Sequence, residues 1–268
     1  MHTPDQTARL STAARDKARF AGMAIGALVM AILLVVWWLL TDVTGAVKPL
    51  FFPSPSEVGQ AFGQVWTSLG SDALATLLRV LGSWALGSIA GVVVGLLMVR
   101  SRVTFYALTP IIEALRPIPP IALIPFVILW FGIGDSGKLF LGSLACFMVM
   151  VVNAIVSAGN VPPVYGRAAR SLGAREGQVY RTIVLPAIVP ELVSGLRIGS
   201  ALAFAVVVAA EFLGAEHGIG RLIMQASRTL NTPVVLIGTV VIALEAVLVD
   251  RLILLVSSRA TTWSENNN

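Results

Sequence analysis

Gly132-Ile133-Gly134-Asp135-Ser136-Gly137-Lys138 matches the first seven positions of a P-loop, in which backbone N–H groups and a lysine hold the phosphates of a nucleotide. That loop needs Ser or Thr next, to place a hydroxyl on magnesium, and this chain has Leu139. The glycines therefore read as a tight turn between two apolar segments. Other chemistry is sparse. His2 and His217 are too few for a metal cluster, and Cys146 lies alone in an apolar run, so it offers neither a disulfide nor a thiolate set. No nucleophile–base pair stands out. We assign no catalytic residue and no metal ligand.

Four ionisable residues do interrupt apolar stretches. Glu113 and Arg116 are three apart, so on a helix they share a face and can pair. Arg197 lies in Gly195-Leu196-Arg197-Ile198-Gly199, where it either meets an anionic solute or pairs with Glu191 or Glu113. Glu211 ends the run Val206-Val207-Val208-Ala209-Ala210. A carboxylate there either helps form an outer gate, docks a partner, or caps a helix at the membrane interface. Charge at membrane depth is costly unless it is paired or wet, which makes all four candidates for a translocation pathway.

The elements that position them are membrane spans. Charged residues make up 12% of the chain and hydrophobic residues 56%, with mean hydropathy +0.85. A soluble domain carries about 25% charge. The apolar residues come in blocks of about 20, the length that crosses the hydrocarbon core. The net charge of +5 does not indicate nucleic acid, because the basic residues form short clusters between spans and no recognition motif is present.

We expect an all-α polytopic membrane protein with about six spans, at 20–41, 80–99, 104–134, 139–158, 186–213 and 233–255. The first is too long for a signal peptide. The third is broken by Pro117, Pro119, Pro120 and Pro125, so its freed carbonyls must be buried in protein or line a cavity. Ser83, Gly87, Gly91 and Gly95 recur every four residues, a stripe that lets helix backbones approach closely. Before it, Ser54-Pro55-Ser56-Glu57 is a capping box. Val58, Phe62, Val65, Trp66 and Leu69 follow on one helical face, which either lies on the membrane surface or packs on other helices.

The organisation is then a tail at 1–19, one transmembrane domain at 20–258 and a tail at 259–268. With a cytoplasmic N-terminus, that side receives Arg9, Arg15, Lys17, Arg19, Arg100, Arg102, Arg167, Arg170, Arg175, Arg181, Arg251 and Arg259. The outer side receives Lys48, Arg79, Lys138, Arg221 and Arg228. The excess of cytoplasmic charge places both termini inside. Trp37, Trp38, Trp84 and Trp130 fall near the outer helix ends, where an interfacial belt sits.

The polar segment at about 160–186 faces the cytoplasm in this arrangement. Pro162-Pro163 stops the fourth span, and Arg167-Ala168-Ala169-Arg170-Ser171-Leu172-Gly173 reads as a short helix ended by glycine. Its small apolar face suits a groove on a partner, although a solvated linker has the same composition.

Here the chain resembles the inner-membrane permeases of ABC importers. Their cytoplasmic signature is Glu-Ala-Ala, three residues, Gly, nine residues, Ile, one residue, Leu-Pro. Ala168-Ala169, Gly173, Ile183 and Leu185-Pro186 stand at those spacings, with Arg167 in place of the Glu. The wider resemblance is to the subgroup serving sulfonates, taurine and nitrate. It is carried by Leu50-Phe51-Phe52-Pro53-Ser54-Pro55, Arg116-Pro117-Ile118-Pro119-Pro120, Ile124-Pro125, Trp130-Phe131-Gly132-Ile133-Gly134 and Ala210-Glu211.

The resemblance implies a type I importer permease in the bacterial inner membrane, working as two copies over a dimer of ATP-binding subunits that carry ATP and magnesium. A soluble binding protein would deliver the solute, with an anionic sulfonate such as taurine the first expectation and nitrate or a pyrimidine precursor the alternatives. Arg167, Ala168, Ala169, Arg170, Leu172, Gly173, Leu185 and Pro186 would form the ATPase-coupling segment. This chain would hold no cofactor and perform no chemistry. An ion-driven secondary transporter is the other class considered; such folds show internal repeats, and none is visible in this sequence.

Overall fold

The computed structural model describes the backbone of residues 4–260 and the side chains of 21–257. The tails expected at 1–19 and 259–268, with Arg9, Arg15, Lys17, Arg19 and Arg259, lie outside the residues described with side chains. Every regular element among the described residues is helical.

Helix α1 (Pro4–Trp38) runs on through a wide turn at Leu39–Val43. From Ala21 onward it is apolar on all sides and stands off the other helices, with none of its spanning window buried. Such a helix needs lipid or another chain around it. It is moored at its end, where the Trp37 indole donates to the Pro53 carbonyl at 2.9 Å and packs edge-on against Phe52.

Helix α2 (Pro55–Arg100) is the longest element. Ser54 caps it, accepting from the Glu57 N–H, while the Glu57 carboxylate accepts from the Ser54 N–H at 2.9 Å. At 1.5 Å per residue it extends about 69 Å, roughly twice the hydrocarbon thickness. The amphipathic stretch and the second span are therefore one helix, where the sequence suggested a separate polar segment. Its first half packs on other helices through Val58, Val65 and Leu69, while Phe62 and Trp66 point outward.

After Ser101 the chain turns into α3 (Arg102–Leu115). A tight turn at Pro120–Leu123 and α4 (Ile124–Phe131) follow, and the two helical segments are bent by 80° at the break. The prolines act as their chemistry requires: Pro120 and Pro125 sit in first turns, where no N–H is needed. Helix α5 (Asp135–Asn160) then descends parallel to α2. Beyond it come α6 (Pro163–Ser171), α7 (Glu176–Val179), a wide turn at Tyr180–Val184, α8 (Leu185–Leu213), α9 (Ile219–Arg228) and α10 (Thr232–Ala260). Among the described residues five helical stretches are long and apolar enough to cross a membrane, and the bent α3–α4 pair makes a sixth if it counts as one span.

The core is the α2–α5–α8 layer. Ser83, Gly87, Gly91 and Gly95 all face α5, and each is buried. A methyl on Gly91 would lie 2.6 Å from the Phe147 carbonyl oxygen, and one on Gly95 would lie 2.6 Å from Ala154 Cβ. Contact that close requires glycine, and it replaces a hydrophobic driving force that lipid does not supply. Trp84 departs from expectation. It sits inside this layer, its indole donating to the Leu196 carbonyl at 2.9 Å, so it is no part of an interfacial belt. Arg79 and Lys138 are also buried in helices, so neither is an outer-loop charge.

Candidate functional site

Two regions at opposite ends of the bundle concentrate the polar chemistry. The first surrounds Glu211 in the last turn of α8. The residue is 1% exposed, which removes the reading of a carboxylate at the membrane interface. Arg79 Nη1 donates to it at 2.6 Å, Thr76 Oγ1 at 3.0 and 3.1 Å, and the Gly220 N–H at 2.9 Å. Arg79 continues outward, from Nε to Asp135 at 2.8 Å and from Nη1 to the His217 carbonyl at 2.7 Å. Asp72 accepts from the Gly218 N–H and Thr76 from the Ile219 N–H, both at 2.8 Å. The network ties α2, the start of α5, the end of α8 and the 214–218 loop together. Glu211 has no free face here for a solute or a partner.

Glycine makes this possible. Gly218 has φ +134, a conformation that L side chains avoid, and a Cβ there would lie 2.6 Å from the Glu211 carboxylate. Asp72 and Thr76 are not singled out by the sequence, and Arg79 reads there only as an outer-side charge. Their spacing of four and then three residues put three polar groups on one face of an apolar helix, which was the available signal.

The P-loop-like turn is occupied by its own lysine. Lys138 is buried and donates to the carbonyls of Ile133 at 2.6 Å and Gly134 at 3.1 Å. Its ammonium satisfies the turn between α4 and α5 and is not available to a phosphate, so the segment does not fit a nucleotide.

Of the other charges, Arg197 is held by Asp250, from Nε at 2.7 Å and from Nη2 at 3.0 Å, where the sequence pointed to Glu191 or Glu113. The partner comes from α10, fifty-three positions away, and no local spacing reveals it. Among the described residues no ion pair joins Glu113 to Arg116: Arg116 is the residue at which α3 ends, and both side chains are exposed. They border a small cavity with Thr109 and Ile112, between α3 and α5.

The second region is the far end of the bundle, built by α6, α7 and the start of α8. Pro163 starts α6 at a position that needs no N–H. Gly173 ends it with φ +86, its N–H donating to the Arg170 carbonyl at 2.9 Å, while Ala174 donates to Ala169 at 3.0 Å. This is the left-handed glycine termination of helices. Arg167, Ala168, Arg170 and Leu172 are exposed, and Ala169 is half-buried. Leu172 is 89% exposed at the tip, and Val164 and Tyr165 are also exposed. Arg170 reaches Glu176 at 3.3 Å, and Tyr180 donates to the Leu96 carbonyl of α2 at 3.1 Å. Leu185 and Pro186 open α8 directly after the wide turn, where the missing N–H of proline would interrupt an ordinary helix. The protruding loop is thus braced onto two long helices.

The comparisons with known proteins fit this architecture. The family described as "Binding-protein-dependent transport system inner membrane component" matches residues 84–262. The taurine transport system permease protein of Escherichia coli K12 is 36% identical over 90% of this chain and 89% of its own length. The nitrate import permease protein of Synechocystis sp. PCC 6803 is 30% identical over 87% of each chain. In structure, an inward-facing form of the MetNI methionine ABC transporter superposes with TM-score 0.58 at 21% identity, covering 71% of this chain and 96% of that one, which establishes a shared fold. The chain belongs to the family of inner-membrane components of binding-protein-dependent transport systems, and it is a multi-pass transport permease subunit.

Proposed function

We propose that this permease carries a small organic anion inward, a sulfonate such as taurine first, and that a separate ATP-binding subunit drives it through α6. The observation that carries the reading is the exposed tip of α6. Leu172, Val164 and Tyr165 project from an arginine-flanked, glycine-ended helix with no covering element among the described residues. Exposed apolar side chains on a rigid short helix suit a groove on a partner protein. Because α7 and Tyr180 brace that loop to α2 and α8, a push on α6 reaches the spans without being absorbed.

In this reading two copies of the chain enclose the pathway. An ATPase dimer with ATP and magnesium sits on the α6 side, and a soluble binding protein delivers solute on the other. Both termini are cytoplasmic. The preference for taurine over nitrate or a pyrimidine precursor rests on the greater similarity to the taurine permease.

The test is co-purification of the complex in mild detergent from wild type and from Gly173→Arg. An ATP-binding subunit retained by wild type and lost from the variant, with the variant still monodisperse, is the expected result. Equal retention by both would remove α6 as the coupling element. Absence of any ATP-binding subunit from an intact wild-type preparation would overturn the ATP-driven reading.

A further inference from the structure

On the face opposite α6, an open cavity of about 450 Å³ lies between the end of α8 and α9. That volume is in the range of small-molecule sites. Phe212 and Met224 contribute apolar wall, and Arg221, Gln225, Arg228 and Thr229 line the rest.

Helix α9 explains why these side chains converge. Ile219, Leu222 and Ala226 are buried in an apolar cluster with Leu69 and Val234. That fixes the rotation of the helix, and Arg221, Gln225 and Arg228, at spacings of four and three, share the opposite face. One of the two charges there, Arg228, is unspent. Arg221 pairs with Asp72 through Nη2 at 3.4 Å and donates from Nη1 to Gln225 at 3.2 Å, which holds its partly exposed guanidinium on the cavity wall. Arg228 makes no hydrogen bond or ion pair among the described residues. The nearby Glu211 carboxylate is enclosed and bound by Arg79, Thr76 and the Gly220 N–H, so it repels an anion less than a free carboxylate would.

We propose that this cavity is an entry site for the solute's oxyanion group, a sulfonate, carboxylate or nitrate, with Arg228 and Arg221 as its cationic contacts. Planar guanidinium groups match such oxyanions through paired N–H donors. The proposal rests on the reading of the chain as an anion importer with this face outward. An anion released from the binding protein would be held here before the spans open to it. The site acts on the step after docking, so its loss slows turnover without weakening capture of the binding protein.

The experiment is taurine uptake into liposomes by the complete complex, wild type against Arg228→Gln and Arg228→Lys, with loaded binding protein varied to saturation and nitrate as a second solute. Arg228 is exposed, and assembly of each variant is checked by its elution as intact complex. The expected result is at least a fivefold lower maximal rate for Arg228→Gln, with half-saturation by binding protein unchanged within twofold, and substantial recovery in Arg228→Lys. An unchanged maximal rate would overturn the site while leaving the importer reading intact. A change confined to half-saturation would also overturn it, since Arg228 would then be meeting the binding protein. If the wild-type complex moved neither taurine nor nitrate, the anion reading itself would fall, and this site with it.

Discussion

Nη1 of Arg79 lies 2.6 Å from the carboxylate of Glu211, and the two side chains are 10% and 0% exposed. A charge pair so enclosed is retained by geometry: the added donors from Thr76 and Gly220 satisfy the oxygens that Arg79 leaves. Removing one partner strands the other. Arg79→Ala should destabilise the detergent-solubilised protein by about 3–5 kcal/mol, the range for breaking a buried pair. Arg79→Lys should lose less, although it cannot span Glu211 and Asp135 together. Thermal unfolding followed by tryptophan fluorescence would check both, and a melting curve for Arg79→Ala that matches wild type would refute a stabilising role for the pair.

Gly91 and Gly63 lie on the same helix, and their substitutions should move stability in opposite directions. A Cβ at Gly91 meets the Phe147 carbonyl and Met150 Cβ at 2.6 and 2.7 Å, whereas at Gly63 nothing lies within 4 Å. Gly91→Ala should cost about 1–3 kcal/mol through overpacking against α5. Gly63→Ala should be neutral or stabilising by about 0.5–1 kcal/mol, because alanine restricts the unfolded chain at no steric cost. Paired melting curves decide it.

The conformation of Gly173 should govern the order of α6. With φ at +86, asparagine is tolerable and valine is strained, by about 1–2 kcal/mol or more. Amide hydrogen exchange across 168–174 should speed up about tenfold in Gly173→Val, since 1.4 kcal/mol is a factor of ten. In Gly173→Asn it should change much less. Equal exchange in all three proteins would mean that the helix end does not depend on this residue.

Arg197 and Asp250 hold α8 to α10 by a two-pronged contact. Asp250→Ala and Arg197→Ala should each reduce uptake, and the exchange Arg197→Asp with Asp250→Arg should recover part of it. Failure of the exchange to recover any uptake would show that the arginine acts on something other than Asp250.

Lys138→Met should destabilise by about 1–3 kcal/mol, as two carbonyls lose a buried donor. A fluorescent ATP analogue should show no saturable binding to the purified wild-type permease. Saturable binding that is lost in Lys138→Met would reverse the structural assignment of this turn.

Much of this protein was determined by local chemistry. The spans follow from apolar runs of bilayer length, the start of α2 from Ser54 and Glu57, the ends of α6 from Pro163 and Gly173, and the break after α3 from prolines at fixed positions. Each of these is a contact between residues a few positions apart, so spacing alone reports it. The tertiary structure decided which polar groups meet. Asp72, Thr76 and Arg79 reach Glu211 and the 217–220 turn across more than 130 positions, and Arg197 takes its carboxylate from α10. Trp84, Arg79 and Lys138 read as boundary residues because polar or amphipathic side chains near an apolar run ordinarily sit at the interface. Burial reverses that reading when a partner from another helix satisfies them. In lipid a charge is costly unless it is paired or wet, yet one chain's spacing does not name its partner, because neighbouring helices bring together positions far apart in sequence.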